Sequence, residues 1–240
     1  LPTKLETFTN TGGITYTGAG TIVRSAPRGS GVYRTLVGNT GGTIDLSAGG
    51  RLVIAGGETR LVNSAKTDWT SNQGSLTVSN SAVLNLWDSG IAPTAGQANT
   101  NLYIDALDGD GRIWRTLLDN NAASPASTLI MGVANTNGRF TGTISDSANA
   151  SIGNISIEKV GTGTQILANN NGYYGTTLIA GGTLQIGSGG LAGRPGFGDI
   201  TNNANLVFNL ANTAQQLTLA QNISGTGDLT IVRSGGIRFA

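Results

Sequence analysis

The stretch GTGTQILANNNGYYGTTLIAGGTLQIGSGG, from Gly161 to Gly190, sets three apolar bursts between glycine corners: Gln165 to Leu167, Thr177 to Ile179 and Thr183 to Ile186. Each burst is too short for a helix and fits a short strand. The glycines and asparagines between them supply positive φ at low steric cost, as a sharp corner requires. The stretch reads either as a glycine-rich loop cradling a ligand or as one unit of a stacked scaffold. The rest of the chain decides between the two.

The same grammar runs through all 240 residues. Short alternating pieces include GTIVR from Gly20, TIDL from Thr43, RLVI from Arg51, SLTV from Ser75, AVLNLW from Ala82, LYI from Leu102, RIW from Arg112, NISI from Asn154, LVF from Leu206, LTL from Leu217 and LTI from Leu229. Glycine doublets or Asn-Gly pairs separate many of them, and helical periodicity is almost absent. One frame, apolar-x-Gly-x-Gly-x-apolar-x-apolar, is clearest in ISGTGDLTI from Ile223. It recurs with one change in LDGDGRIWR from Leu107, and more loosely from Thr17 and Val160. A second frame appears as GGTIDL from Gly41, GGRLVI from Gly49 and GGTLQI from Gly181. The Gly-x-Gly starts at Gly18, Gly109, Gly161 and Gly225 are irregularly spaced. A propeller or leucine-rich array would keep a tighter period, whereas a β-solenoid absorbs insertions at its corners.

Composition agrees. Aromatic residues make up 5% and charged residues 11%, while glycine contributes 38 positions. A core with so few large side chains is built from many thin Ile, Leu, Val and Ala layers. The recurrent apolar alternation argues against disorder. The expected fold is all-β: a single elongated parallel β-helix (β-solenoid) domain over residues 1–240, with irregular corner insertions. At about 20 residues per coil and ~4.8 Å per rung it has about twelve coils and spans on the order of 55 Å. Inward positions are expected at Ile22, Leu46, Ile54, Leu76, Val78, Leu84, Leu86, Ile113, Ile144, Ile166, Leu184, Ile186, Leu206, Phe208, Leu217, Leu219, Leu229 and Ile231, with Thr and Asn outside.

Three motifs in the opening stretch carry a family resemblance: GTGTQIL from Gly161 with Lys159 ahead of it, NGYYGTT from Asn171, and AGGTLQIG from Ala180. Together they resemble the passenger-associated transport repeat, also called the autotransporter-associated β-strand repeat. Gln165 departs from the usual small or apolar residue, and Tyr174 stands where Thr or Ser is common. The best match covers residues 157–190, and a second, partial copy covers 223–240. The resemblance implies a right-handed, single-stranded β-helix from a secreted or surface-displayed bacterial protein, hence an extracellular or cell-surface location. It brings no catalytic residues. Relatives carry adhesive, biofilm or filament roles, so a fibre, stalk or adhesive passenger is expected, with host-surface or matrix glycans as partners; separately, unpaired strand edges of terminal coils can template stacking between copies.

Chemistry is narrowly bounded. The chain has no Cys and no His, so disulfides, thiolate sites and the commonest metal ligand and general base are absent together. Fourteen Lys+Arg against 13 Asp+Glu leave no electrostatic footprint for nucleic acid. No run approaches the roughly twenty apolar residues of a spanning helix. The first residues, LPTKLETFTN, have no basic segment followed by an apolar one, and the chain begins at Leu1 rather than Met, which reads as a processed or excised piece. The last residues, RSGGIRFA, read as a coil cut as it opens.

Some residues invite sharper readings. Asp105, Asp108 and Asp110 invite calcium, but the position where an EF-hand beginning at Asp108 needs Gly holds Ile113, so exposed carboxylates at a strand start are expected instead. A dinucleotide loop at Gly161 fails because Ile166 occupies the third-glycine position and no helix follows. Asp88, Asp105, Asp108, Asp110 and Asp119 are the acids a polysaccharide-degrading β-helix could pair, and Trp69, Trp87, Trp114 and Tyr103 could stack on sugars, although large aromatics in a thin solenoid more often plug it. Thr-x-Thr pairs do not recur at coil spacing, which excludes an ice-binding ladder. No catalytic, cofactor or metal site is expected, and carbohydrate binding or cleavage is the alternative to a purely structural role.

Overall fold

The computed structural model describes residues 15–25, 34–37, 43–61, 69–79, 82–86, 100–115, 127–146, 154–211, 217–232 and 237–239. Among the described residues every regular element is a strand, and every strand pair is parallel. Each circuit of the chain lays one strand into each of two or three sheets and then returns one rung higher. The protein is a β-solenoid.

The longest sheet has nine strands in chain order: Thr21–Ser25, Arg51–Gly56, Ser75–Val78, Leu107–Gly109, Gly138–Phe140, Thr164–Leu167, Thr183–Ile186, Asn205–Asn209 and Asp228–Val232. A second sheet of six runs from Thr100–Ile104 through Ser127–Met131, Ile155–Lys159, Thr177–Ile179 and Ile200–Asn202 to Ile223–Ser224. The third, of five strands, runs from Arg34–Val37 through Glu58–Leu61, Val83–Asn85 and Arg112–Arg115 to Thr143–Asp146. Two pairs complete the set, Thr15–Gly18 with Thr43–Leu46 and Leu217–Leu219 with Ile237–Phe239.

The nine-stranded sheet falls short of the expected twelve coils. At ~4.8 Å per rung its first and last strands lie about 38 Å apart. The reason is coil length. Rung partners are as close as 19 residues (Leu167 and Ile186) and as distant as 31 (Leu76 and Leu107). The long coils carry their extra residues between the third sheet and the next coil, as between Arg115 and Ser127. Insertions there leave the stacked rungs undisturbed.

Parallel register turns the alternating sequence into columns. In the nine-stranded sheet one inward column reads Ile22, Leu52, Leu76, Leu107, then Gly138, Gln165, Leu184, Leu206, Leu229. The next reads Ile54, Val78, Gly109, Phe140, Leu167, Ile186, Phe208, Ile231. The six-stranded sheet contributes Leu102, Leu129, Ile157, Thr177, Ile200 and Ile223. Thr59, Leu84, Ile113 and Ile144 come from the five-stranded one. These columns meet in one apolar core. A fully buried Leu or Ile contributes about 1.5–3 kcal/mol, so thin layers suffice when repeated.

Most expected inward residues are buried, and Ile22 and Leu217 pack against the core while partly exposed. Three expectations need correction. Ile166 faces out and Gln165 faces in, because Thr164 sits over Thr183 and fixes the parity of the strand. Leu229 and Ile231 stand in the inward columns but remain 42% and 40% exposed, since theirs is the last rung of the sheet. Asn is not confined to the outside: Asn72, Asn85, Asn171 and Asn202 are buried.

The Gly-x-Gly frame marks corners, as read, but not always the same corner. Gly18, Gly161 and Gly225 lead into the nine-stranded sheet, whereas Gly109 leads from it into the five-stranded sheet. At Gly161 the need for glycine is twofold. Its φ is 65°, and a Cβ would lie 2.0 Å from the Gly132 carbonyl oxygen of the coil below.

Candidate functional site

The buried polar residues sit where the peptide groups of corners and short strands lack ladder partners. Asn72 accepts from Leu46 N at 3.0 Å and donates to Tyr103 O at 2.7 Å. Asn171 accepts from Ile144 N at 3.0 Å and donates to Asn169 O and Arg194 O. Lys159, in the inward column between Met131 and Ile179, is fully buried and donates through Nζ to the carbonyl oxygens of Val160, Gly161 and Gly181. Burial holds its ammonium below the usual lysine pKa, against the upward pull of the Asp105 carboxylate.

Asp105 overturns its expected exposure. It is buried, and its Oδ1 accepts from Ala134 N at 2.9 Å and Thr136 N at 3.1 Å in the next coil. Asp108 accepts from Arg139 N at 3.0 Å and lies 3.8 Å from the Arg51 guanidinium, while Asp110 is exposed. Among the described residues no three metal-ligating side chains cluster. Trp69 is buried in the core, as a plug is; Trp114 lies under the Arg112 guanidinium at 3.8 Å, and Tyr103 is half-buried against the core. Asp88, Asp119 and Trp87 lie outside the described residues.

An aromatic and charged surface forms where the five-stranded sheet stops, from residues that no sequence motif above singles out as a site. The five-stranded sheet ends at Thr143–Asp146. In the next two coils this side is formed by irregular chain around the isolated bridges Ser145 to Gly172 and Asn170 to Arg194. Tyr173 fills the space behind it, fully buried, its hydroxyl 2.7 Å from Thr177 Oγ1. In front, the rings of Tyr174 and Phe197 meet at 4.8 Å, and the Arg194 guanidinium lies 4.6 Å over Phe197. The backbone fixes this group: Phe197 N donates to Tyr173 O at 2.7 Å, and Asn171 N donates to Arg194 O at 3.0 Å. The signal in the sequence was GYYG followed by GRPGFG, two glycine-flanked aromatic segments one coil apart.

Beneath lies a carboxylate hub. Asp146 accepts from Ile155 N at 3.0 Å and from Tyr174 N at 2.8 Å, joining one coil to the next. Burial pushes its carboxyl up to about 6, while the Tyr174 and Ile155 amides and the Arg115 charge pull it down. A folded pKa above the unfolded one contributes stability below the unfolded value, and that stability is lost as pH rises through the folded value. We therefore expect urea midpoints to show about 2 kcal/mol less stability at pH 7.5 than at pH 4 from this group, after allowance for partial exposure. In Asp146→Asn that component of the pH profile should vanish. An unchanged difference between the two profiles would remove Asp146 as its source.

The geometry defines the class of the protein, a parallel β-solenoid. Residues 157–186 match the family model of the passenger-associated transport repeat. The matched segment spans the end of Ile155–Lys159, all of Thr164–Leu167 and Thr177–Ile179, and Thr183–Ile186, so this repeat is two successive rungs of the solenoid. Neither the curated proteins nor the solved structures compared with the chain gave a match. No helix among the described residues is long and apolar enough to cross a membrane.

Proposed function

We propose that this chain is a structural, non-enzymatic stem segment of an exported bacterial protein, a single β-solenoid domain that holds adhesive surfaces away from the cell. The observation that carries the reading is the transport repeat at residues 157–186 falling on two rungs of the continuous nine-stranded sheet. The acids offered for polysaccharide cleavage support it too, since Asp105 and Asp108 are engaged with backbone amides rather than facing each other. End-to-end stacking of copies belongs to the same reading and would join one nine-stranded sheet to another along its strand edge.

The purified chain is expected to release no reducing ends from any of a panel of polysaccharides. It is also expected to appear by electron microscopy as short rods that lengthen end to end as concentration rises. Glycan turnover abolished by Asp108→Asn would replace this reading with the carbohydrate-active one. Rods that stay single at every concentration would remove end-to-end stacking alone.

A further inference from the structure

The Tyr174, Arg194 and Phe197 corner has features that a stem does not require. A solenoid side with no strand needs only to be closed, and buried Tyr173 closes it. Yet Phe197 remains 44% exposed, and Arg194 lies over its ring. Asp146 is engaged by the Ile155 and Tyr174 amides, and Asp199 by Asn222 N at 3.0 Å. Arg194 donates through Nε to Asn171 O at 3.4 Å and has no ion pair among the described residues. A guanidinium held over an aromatic ring, with Nε donating to a backbone carbonyl, is restrained before it meets an anion, which lowers the entropy lost on binding.

The support is rigid. Arg194 is tied through its backbone to Asn171 and by the bridge to Asn170, and Phe197 through its amide to Tyr173. Gly196 between them is pressed against Tyr173, where a Cβ would lie 2.4 Å from ring carbon atoms. The chain is thus held so that Arg194 lies over Phe197 and Phe197 against Tyr174.

We propose that Arg194 and Phe197, backed by Tyr174, form a platform for an acidic sugar residue of a polysaccharide. The carboxylate pairs with the guanidinium in the two-pronged geometry that carboxylate and guanidinium share, and the apolar face of the pyranose packs against the uncovered part of Phe197 beside it. A neutral sugar satisfies only the rings, and an acidic peptide only the charge. The platform supplies the adhesive chemistry that the stem reading lacks. It rests on that reading only in requiring this corner to be displayed.

Titration of the chain with hyaluronan oligosaccharides, followed by the amide signals of residues 172–175 and 193–198, tests the platform. Binding is expected, weaker by about tenfold or more for neutral cello-oligosaccharides and for polyglutamate. Arg194→Gln and Phe197→Leu should each lower affinity for the acidic oligosaccharide by about tenfold, and Arg194→Lys by less, while unaltered circular dichroism and urea midpoints show the fold intact. Failure to bind hyaluronan, equal binding of polyglutamate, or full affinity in folded Phe197→Leu would each overturn the platform. Rods that form normally and ignore acidic sugars would sink this inference and leave the stem reading in place.

Discussion

Lys159→Met is expected to lower the stability of the solenoid by about 3–5 kcal/mol, the cost of leaving buried carbonyl oxygens without their charged donor. Met keeps the length and most of the volume of the side chain, so the loss reports the ammonium rather than the stem. Three donors on Nζ meet three carbonyl oxygens, those of Val160, Gly161 and Gly181, which belong to two successive glycine corners. Parallel coils turn their corner carbonyls toward the same place at every rung, and glycines let the backbones come close enough to need a cation there. A Cβ at Gly132 or at Gly182 would lie 2.9 Å from Nζ, so the corner is sized to the ammonium. Removing the ammonium orphans the carbonyls and takes away the positive charge that Asp105 favours there.

Because a solenoid unfolds by local units, the loss should appear both as a lower urea midpoint and as hydrogen exchange accelerated around residues 130–137 and 157–183. Asp105→Asn alone should cost less, since Asn can still accept from Ala134 N and Thr136 N. The double variant should be less destabilised than the two single losses added together. A Lys159→Met chain as stable as the parent would mean that the corner carbonyls are satisfied without the ammonium.

Much of the architecture is legible in the sequence because parallel stacking repeats one simple demand. Leu184 and Ile186 lie over Gln165 and Leu167 and under Leu206 and Phe208, and each strand shows its apolar alternation independently of the others. Strand length, corner glycines and absent helices follow from local propensity alone. What escapes is whatever depends on register across coils. In the run Gln165-Ile166-Leu167 two adjacent apolar residues leave the parity open, and only alignment of Thr164 with Thr183 one coil on shows that Gln165 points inward. Asp105 looked like a surface acid because its partners lie some 30 residues away, in Ala134 and Thr136. The frame shared by LDGDGRI and ISGTGDL is real as local geometry, yet it occurs at two different corners, since a glycine turn does not encode which sheet it leaves. Tyr174, Arg194 and Phe197 went unread for the same reason: they come together only across neighbouring coils, where the third sheet has ended.

Gln165→Leu, which would make this inward column position apolar like its neighbours Leu184 and Leu206, is expected to destabilise the protein by about 2–4 kcal/mol. The nine-stranded sheet is weakest between Leu107–Gly109 and Gly138–Phe140, where the register consists of the single pair Gly109 and Phe140. Leu107 therefore lacks a strand partner directly above it, although it is fully buried. Gln165, two coils up, repairs the gap: Oε1 accepts from Leu107 N at 3.0 Å and Nε2 donates to Leu107 O at 2.8 Å. The primary amide stands in for a missing peptide group. It reaches that far only because Gly138 lies between; a Cβ there would sit 2.3 Å from Oε1.

Leucine at 165 adds apolar burial of about 1.5–3 kcal/mol but orphans a buried N–H and a buried C=O at about 1–3 kcal/mol each, and its branched end fits poorly against backbone. Gln165→Glu separates the two halves of the interaction. A carboxylate can accept from Leu107 N but cannot donate to Leu107 O, and protonation restores a donor, so this variant should regain stability as pH falls where Gln165→Leu does not. The decisive reading is hydrogen exchange at the Leu107 amide, protected in the parent and exposed to exchange in Gln165→Leu. Continued protection there, with an unchanged urea midpoint, would show that Leu107 is held by its own coil, and the glutamine would then be a tolerated departure rather than a structural one.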